Sequence, residues 1–262
     1  MNAEIEMIDT HAHLYLKEFD DDRDAVVQRA QNLGVTKIFL PNIDSDSIAS
    51  MLRMTEEYPG VCYAMMGLHP CSVKTEYLRE LEIVEEWLGK RRFSAVGEIG
   101  TDLYWDTSFR KQQETCFRRQ IALAGKMQLP VVIHSRESLD WNIEIVTEMQ
   151  DGSLSGVFHC FTGTPELARR IIELGFFLGI GGVITFKNSG LAETVQQLPL
   201  ESLLLETDAP YLTPHPYRGK RNETSYVRLV AEKIAACKGV SLQAVCEVTS
   251  LNAQKLFVLN NL

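Results

Sequence analysis

Short apolar runs, separated by charged segments with helical spacing, recur along the whole chain. The runs fall at residues 5–10, 37–41, 62–67, 94–99, 130–134, 156–159, 176–180 and 202–207. Most are continuously apolar rather than alternating, the pattern of parallel strands buried on both faces. Between them, residues 20–33, 46–57, 76–90, 109–127, 138–149, 165–174 and 191–198 mix charge with apolar positions at helical spacing, and two further helical segments follow at 225–237 and 241–258. Eight strands alternating with helices predict the α/β class and a (β/α)8 TIM barrel, a single domain over residues 1–262. The competing architecture is an open, doubly wound sheet. Polar residues favour the barrel, because imidazoles and carboxylates end the first, fourth, fifth, sixth and eighth runs. A closed barrel brings those ends to one mouth, whereas an open sheet spreads them along an edge with a single crevice.

Composition narrows the classes further. The 262 residues are 45% hydrophobic, which suits one barrel, and the net charge is −9. That charge argues against a protein that coats nucleic acid electrostatically, but not against one that takes a nucleic-acid end into a pocket. None of the six cysteines forms a CxxC pair, so reduced thiols and a cytoplasmic location are expected. Cys160, directly after His159, is expected to point away from it on a strand and to serve packing. Met1 to Glu4 offer no basic segment and no apolar core of a signal peptide. The most apolar stretch, residues 175–184, is too short and glycine-rich to span a bilayer, so no membrane partner is expected. Oligomeric state is not legible.

Candidate chemistry sits at the strand ends. His11 and His13 are two apart, so in extended chain both imidazoles face one way and make half of a metal site. Glu98 lies between glycines in Val96-Gly97-Glu98-Ile99-Gly100, and a buried carboxylate there requires a cation or hydrogen bonds. His134, His159 and Asp208 end the fifth, sixth and eighth runs. Four histidines and two carboxylates form a mixed N/O donor set, sufficient for two divalent ions, Mg, Mn or Zn, bridged by one carboxylate. Arg136 follows His134 by two residues. Lys187, Arg218, Lys220 and Arg221 fall in loops after the seventh and eighth strands, where barrels often bind phosphate. His69, before Pro70, is a candidate phosphate contact or proton donor, and Tyr104 and Trp105 are candidate stacking platforms.

These motifs, taken in order, resemble the TatD-type metal-dependent deoxyribonucleases of the amidohydrolase superfamily. The resemblance covers Asp9-Thr10-His11-Ala12-His13, Gly67-Leu68-His69-Pro70, Gly97-Glu98-Ile99-Gly100 with Asp102, His134-Ser135-Arg136 and His159-Cys160-Phe161-Thr162-Gly163. It continues through Glu206-Thr207-Asp208-Ala209-Pro210-Tyr211-Leu212, Arg218-Gly219-Lys220-Arg221-Asn222-Glu223 and Asn252-Ala253. It implies that His11, His13, Glu98 and Asp208 surround one metal and Glu98, His134 and His159 the other, with Glu98 in the place of a carboxylated lysine. It also implies removal of nucleotides from a DNA 3′ end, with single strands preferred. The chain departs from the family pattern at Thr101 (usually Leu), Leu103 (usually aromatic), Tyr217 (usually His, with His215 nearby) and Thr224 (usually Pro). All four lie outside the expected ligands and bear on substrate preference.

Such a site activates water, with Asp208 and Glu98 as its catalytic carboxylates and Asp208 the acceptor of the water's proton. The leading reading is a phosphodiesterase with His69, Arg136, Arg218 and Arg221 contacting a nucleic-acid end. The alternative is a metal-dependent amide or ester hydrolase, such as an aminoacyl-tRNA deacylase, which has less need of those cations. A non-catalytic scaffold is a third reading, opposed by the complete donor set.

Overall fold

A computed structural model describes residues 5–257. The strands are β1 (Met7–Asp9), β2 (Val35–Pro41), β3 (Cys62–Met65), β4 (Val96–Asp102), β5 (Val131–Arg136), β6 (Gly156–Phe158), β7 (Phe177–Ile180) and β8 (Leu203–Leu205). The helices are α1 (Arg23–Asn32), α2 (Ile48–Glu57), α3 (Tyr77–Lys90), α4 (Arg110–Met127), α5 (Leu139–Met149), α6 (Pro165–Glu173), α7 (Leu191–Gln196), α8 (Val227–Lys238) and α9 (Leu242–Phe257). All strand pairs are parallel, in the orders β1-β2-β3 and β4 through β8. Two seams join these sheets into the expected barrel. Met66 bridges Val96, and Gly97 N–H donates to the Met66 carbonyl at 3.0 Å. Ala12 bridges Ala209, and His13 N–H donates to the Ala209 carbonyl at 2.7 Å. Among the described residues no helix is long and apolar enough to cross a membrane.

The period-two alternation of each strand divides the apolar residues into two layers. Ile38, Leu40, Ala64, Met66, Val131, Ile133, Leu203 and Leu205 belong to the large cluster packed against the helices. Their neighbours Phe39, Met65, Val132 and Leu204 join Ile8, Ala95 and Val157 in a separate inner cluster. Ala253, Leu256 and Phe257 of α9 complete that cluster. Phe257 stacks on Phe39 with ring centroids 4.1 Å apart, so α9 stoppers the barrel floor. One step further along the same inward face stand His134, His159 and Glu206, two residues beyond Val132, Val157 and Leu204.

The element boundaries differ from expectation where polar residues continue a strand or local turns intervene. β4 runs to Asp102, past the expected Ile99, because Thr101 and Asp102 keep pairing with Ser135 and Arg136. β6 stops at Phe158, and Cys160 turns into the left-handed region at φ 49°. Short 3-10 turns at Lys17–Phe19 and Thr224–Tyr226 delay the starts of α1 and α8. Met1 to Glu4, and Val258 at the expected end of the last helix, lie outside the described residues.

Replacing the stopper tests the inner layer. Phe257→Ala should destabilise the fold by about 3–5 kcal/mol, the range for a buried Phe truncated to Ala. Urea unfolding checks this, and a loss below about 1 kcal/mol would show that α9 does not close the inner core.

Candidate metal centre

Local backbone features deliver each side chain to the mouth. His11 and His13 follow β1 on extended chain held by the Ala12–Ala209 bridge. The Asp9 carboxylate ties this segment to the chain after β8 across the closing seam, accepting from Thr207 N–H at 3.0 Å and Thr207 Oγ1 at 2.7 Å. Burial pushes the Asp9 carboxyl up to about 7, offset in part by the Thr207 bond. Glu98 occupies a bulge in β4: Gly97 and Ile99 pair with the consecutive Val132 and Ile133, leaving Glu98 unpaired. A bulge re-aims a side chain in this way. Gly100 has φ 135°, and a Cβ there would collide with the His134 carbonyl oxygen. Asp208 follows β8 in the left-handed region at φ 57°.

The two Glu98 oxygens face different imidazoles. Oε2 lies 3.2 Å from His11 Nε2 and 3.7 Å from His13 Nε2. Oε1 lies 2.8 Å from His134 Nδ1, 3.0 Å from His159 Nε2 and 3.4 Å from His69 Nε2. Asp208 Oδ1 stands on the first side, 3.8 Å from His11 Nε2 and 3.6 Å from His13 Nε2. Ligand-type atoms thus gather in three overlapping groups: His11/Glu98/His159, His11/His13/Asp208 and His69/Glu98/His134. The structure brings His11, His13, Glu98, His134, His159 and Asp208 to one rim, where His159 also groups with His11 and Glu98, and His69 joins Glu98 and His134.

Outer partners set which ring nitrogens are free. Tyr15 Oη donates to the Pro41 carbonyl at 2.6 Å, so it accepts from His13 Nδ1–H at 2.8 Å and leaves His13 Nε2 with its lone pair. Asp102 Oδ2 takes His134 Nε2–H at 2.9 Å, leaving Nδ1 toward Glu98. His159 Nδ1 lies 3.3 Å from Glu206 Oε1. His69 differs: its Nδ1 accepts from Cys71 N–H at 3.0 Å, so in the neutral ring the proton sits on Nε2. His69 thus turns Nε2 toward the site, 3.4 Å from Glu98 Oε1.

The electrostatics suit divalent cations. Burial raises the Glu98 carboxyl, but His159, His69 and His11 outweigh it and hold it well below the carboxylate range. Asp208 is likewise held low against burial, by His13, His159 and His11. Burial and His159 push His11 down. Its ring stacks on His159 at 3.7 Å and 10°; burial lowers His159 too, but Glu98 and Glu206 outweigh it and hold that imidazole well above its usual range, so His11 is the ring kept neutral. Charged carboxylates beside imidazoles, whose site-facing protons a cation would displace, form a donor set that fits divalent metal ions.

A cavity of about 730 Å³ opens over this set, with His13, His69, Glu98, His134, His159 and Asp208 in its wall. Arg136 also lines it, its guanidinium 3.9 Å over the Tyr104 ring. Two expected substrate contacts are not brought there. Arg221 is held by Asp22 through two bonds of 2.7 and 2.8 Å, with the Glu18 carbonyl at 2.6 Å. It clamps the loop after β8 to the loop after β1. Arg218 stacks 3.7 Å over Phe186 and donates to the Thr213 carbonyl at 3.3 Å. Both corrections have one cause: other protein groups capture each guanidinium, Arg221 through Asp22 and Arg218 through Phe186 and the Thr213 carbonyl. Cys160 is a third correction, since its left-handed turn puts it in the cavity wall. Burial, Asp208 and Glu206 push its thiol well above the ordinary value.

Three polar residues outside the expected set support the ligands. Asp102 orients His134 and accepts from Tyr104 N–H at 2.9 Å and Trp105 N–H at 3.1 Å. Burial opposes its ionisation, but His134 and these amides hold the carboxyl low. Glu206 accepts from Cys160 N–H at 2.6 Å and fills space that a Cβ at Gly179 would occupy. Tyr15 fixes His13. Thr101, where the family pattern has Leu, donates to Asn142 Oδ1 at 2.7 Å, and Asn142 Nδ2 donates to the His134 carbonyl at 2.8 Å. The departure is thus absorbed into the support of a ligand strand.

Comparison with known proteins gives concordant matches. The family model described as TatD related DNase matches residues 8–258. The metal-dependent hydrolase YabD of Bacillus subtilis is 40% identical, covering 97% of this chain and 100% of YabD. The 3′-5′ ssDNA/RNA exonuclease TatD of Rahnella sp. is 30% identical, covering 97% of this chain and 99% of its own length. The crystal structure of YjjV, a TatD homolog from Escherichia coli, superposes with a TM-score of 0.91 at 32% identity, covering 97% of this chain and 98% of that one.

The two-sided placement of Glu98 makes a prediction about metal content. Glu98→Ala should lose all bound divalent metal in one step, and Glu98→Gln should bind it more weakly. Elemental analysis of the purified variants checks this. Normal content in Glu98→Ala would end the bridging assignment.

Proposed function

The chain belongs to the TatD-related DNase family of metal-dependent hydrolases, and we propose that it is a cytoplasmic nuclease removing nucleotides from the 3′ end of single-stranded DNA. The observation that carries this reading is Arg136. A guanidinium lines the same cavity as a carboxylate whose oxygens face separate imidazole sets. An amide or ester hydrolase has no comparable need of that cation. The name of the Rahnella relative points the same way, and the unpaired state of all six cysteines suits a reducing compartment.

In this reading two divalent ions are held, one by His11, His13, Asp208 and Glu98 and the other by Glu98, His134 and His159. When bound they supply a Lewis acid and bring the pKa of water toward neutrality. The protein's own groups do the rest. Asp208 accepts the proton of the attacking water. Arg136 replaces part of the phosphate's hydration with charge-assisted hydrogen bonds. His69 offers its Nε2–H to a phosphate or leaving oxygen. The recessed mouth admits a chain end, and the chain's net charge of −9 provides no long basic track for duplex.

Stripping the metal and restoring Mg, Mn or Zn separately, with end-labelled single-stranded DNA as substrate, tests the reading. Cleavage should require added metal, and products should shorten stepwise from the 3′ end. Failure of every reconstituted form to cut, or internal cuts, would overturn it. Asp208→Asn should lower kcat by about 10²–10⁴-fold, the usual share of a general base, while oligonucleotide binding is largely kept. Arg136→Ala should lower kcat/KM on DNA about ten- to a hundredfold, as one contact to a charged group is worth ~1.5–3 kcal/mol. Arg136→Lys should recover only part of this. A neutral ester, run in parallel, should be hydrolysed equally by all three proteins if hydrolysed at all. DNA cleavage by Arg136→Ala at the wild-type rate would remove the phosphate contact.

A further inference from the structure

Trp105 is the most exposed large apolar side chain of the described residues, at 68%, yet it lines the cavity over the metal ligands. Stability does not account for a tryptophan held this way. It is absent from the apolar clusters, and its ring contacts are an edge approach to Tyr104 at 4.9 Å and 87° and the Arg136 guanidinium at 5.2 Å. Tyr104 is already covered by Arg136 at 3.9 Å. Tyr211, the other exposed aromatic of this cavity wall, stands edge-on to His13 at 6.2 Å. Trp105 therefore keeps the larger open indole surface.

Its loop is built to hold that surface still. Asp102 Oδ1 accepts from both Tyr104 N–H and Trp105 N–H, while the backbone of Asp102 is gripped by Gln113 at 2.9 and 3.1 Å. On the far side, Asp106 accepts from Ser108 N–H at 3.0 Å and pairs with Lys74 at 2.7 Å. A tryptophan on a loop anchored at both ends loses little conformational freedom on binding a flat partner. The other oxygen of Asp102 holds His134, so the indole is positioned relative to the ligand set through one carboxylate.

We infer that Trp105 is a specificity-determining platform that stacks an unpaired nucleobase beside the scissile phosphate. The inference rests on the nuclease reading and deepens it by naming the group that recognises an unpaired end. Stacking engages any base face and so is tolerant of sequence, but it requires a base free of its complement. Arg136, beside the platform, takes the phosphate of the same nucleotide, joining a charge contact to a stacking contact across one nucleotide's length.

The test uses the metal-loaded protein and a pair of single-stranded oligonucleotides, one intact and one whose last two 3′ nucleosides lack bases. The wild type should prefer the intact end in kcat/KM. In Trp105→Ala that preference should fall about five- to a hundredfold, and in Trp105→Phe it should largely survive, since a phenyl ring still stacks. An unchanged preference in Trp105→Ala would overturn the inference. Tryptophan fluorescence, titrated with a phosphorothioate oligonucleotide, provides a readout independent of turnover. Quenching should be seen in the wild type and lost in Trp105→Phe, which folds with the other two tryptophans in place. If the wild type cleaves neither oligonucleotide, the nuclease reading fails and the quenching alone decides: no quenching removes Trp105 as a platform. Cleavage of intact DNA with no quenching leaves the nuclease standing and the platform overturned.

Discussion

One buried carboxylate organises the centre of this molecule. Glu98 is 2% exposed, and an ionised carboxylate at that depth is costly unless compensated from several directions. Compensation comes from five imidazoles on four separate segments: the chain after β1, the loop after β3, β5 and the turn after β6. No single stretch of chain supplies them all. The barrel does, because closing eight parallel strands brings their carboxyl ends around one axis. The bulge in β4 completes the arrangement by moving Glu98 out of the ladder and toward that axis. The demand for a charged group in the interior and the closure of the sheet are in this sense one constraint.

The supporting polar residues extend the constraint outward. Tyr15 and Asp102 each accept from one nitrogen of a rim histidine, His13 or His134, and so leave the other nitrogen facing the site. Such outer contacts fix ring orientation as well as tautomer. Asp102 is itself held by Gln113 of α4, and His134 is steadied through its carbonyl by Asn142 of α5. Helices on the outside of the barrel thus reach through to the rim by way of buried amides, and the site inherits the rigidity of the whole wall.

Much of this was readable from residue order. The apolar runs located all eight strands, and imidazoles and carboxylates at their ends located the rim. His11 and His13 were legible because the period of two is local, and Glu98 because flanking glycines make a carboxylate there conspicuous. What escaped was non-local. That Arg221 belongs to Asp22, and Arg218 to Phe186, depends on segments that only the closed fold brings together. Asp102 was missed as a support because Gly100 and Thr101 interrupt an apolar run that the backbone nevertheless continues as strand. Cys160 was misplaced for a related reason: period two stops at β6, and a left-handed residue reverses the direction of the next side chain.

The backbone at Asp208 has a consequence for how natural variation in this protein is interpreted. A left-handed residue accommodates Asp, Asn and Gly far more readily than other types. Asn and Gly are also each one nucleotide change from an Asp codon. The most accessible genetic changes at this site are therefore the ones the fold tolerates best, and both remove the carboxylate. Either change would leave the backbone at this position unstrained. Surveys that score variants by abundance or solubility read the backbone's tolerance at this position and not the loss of its carboxylate.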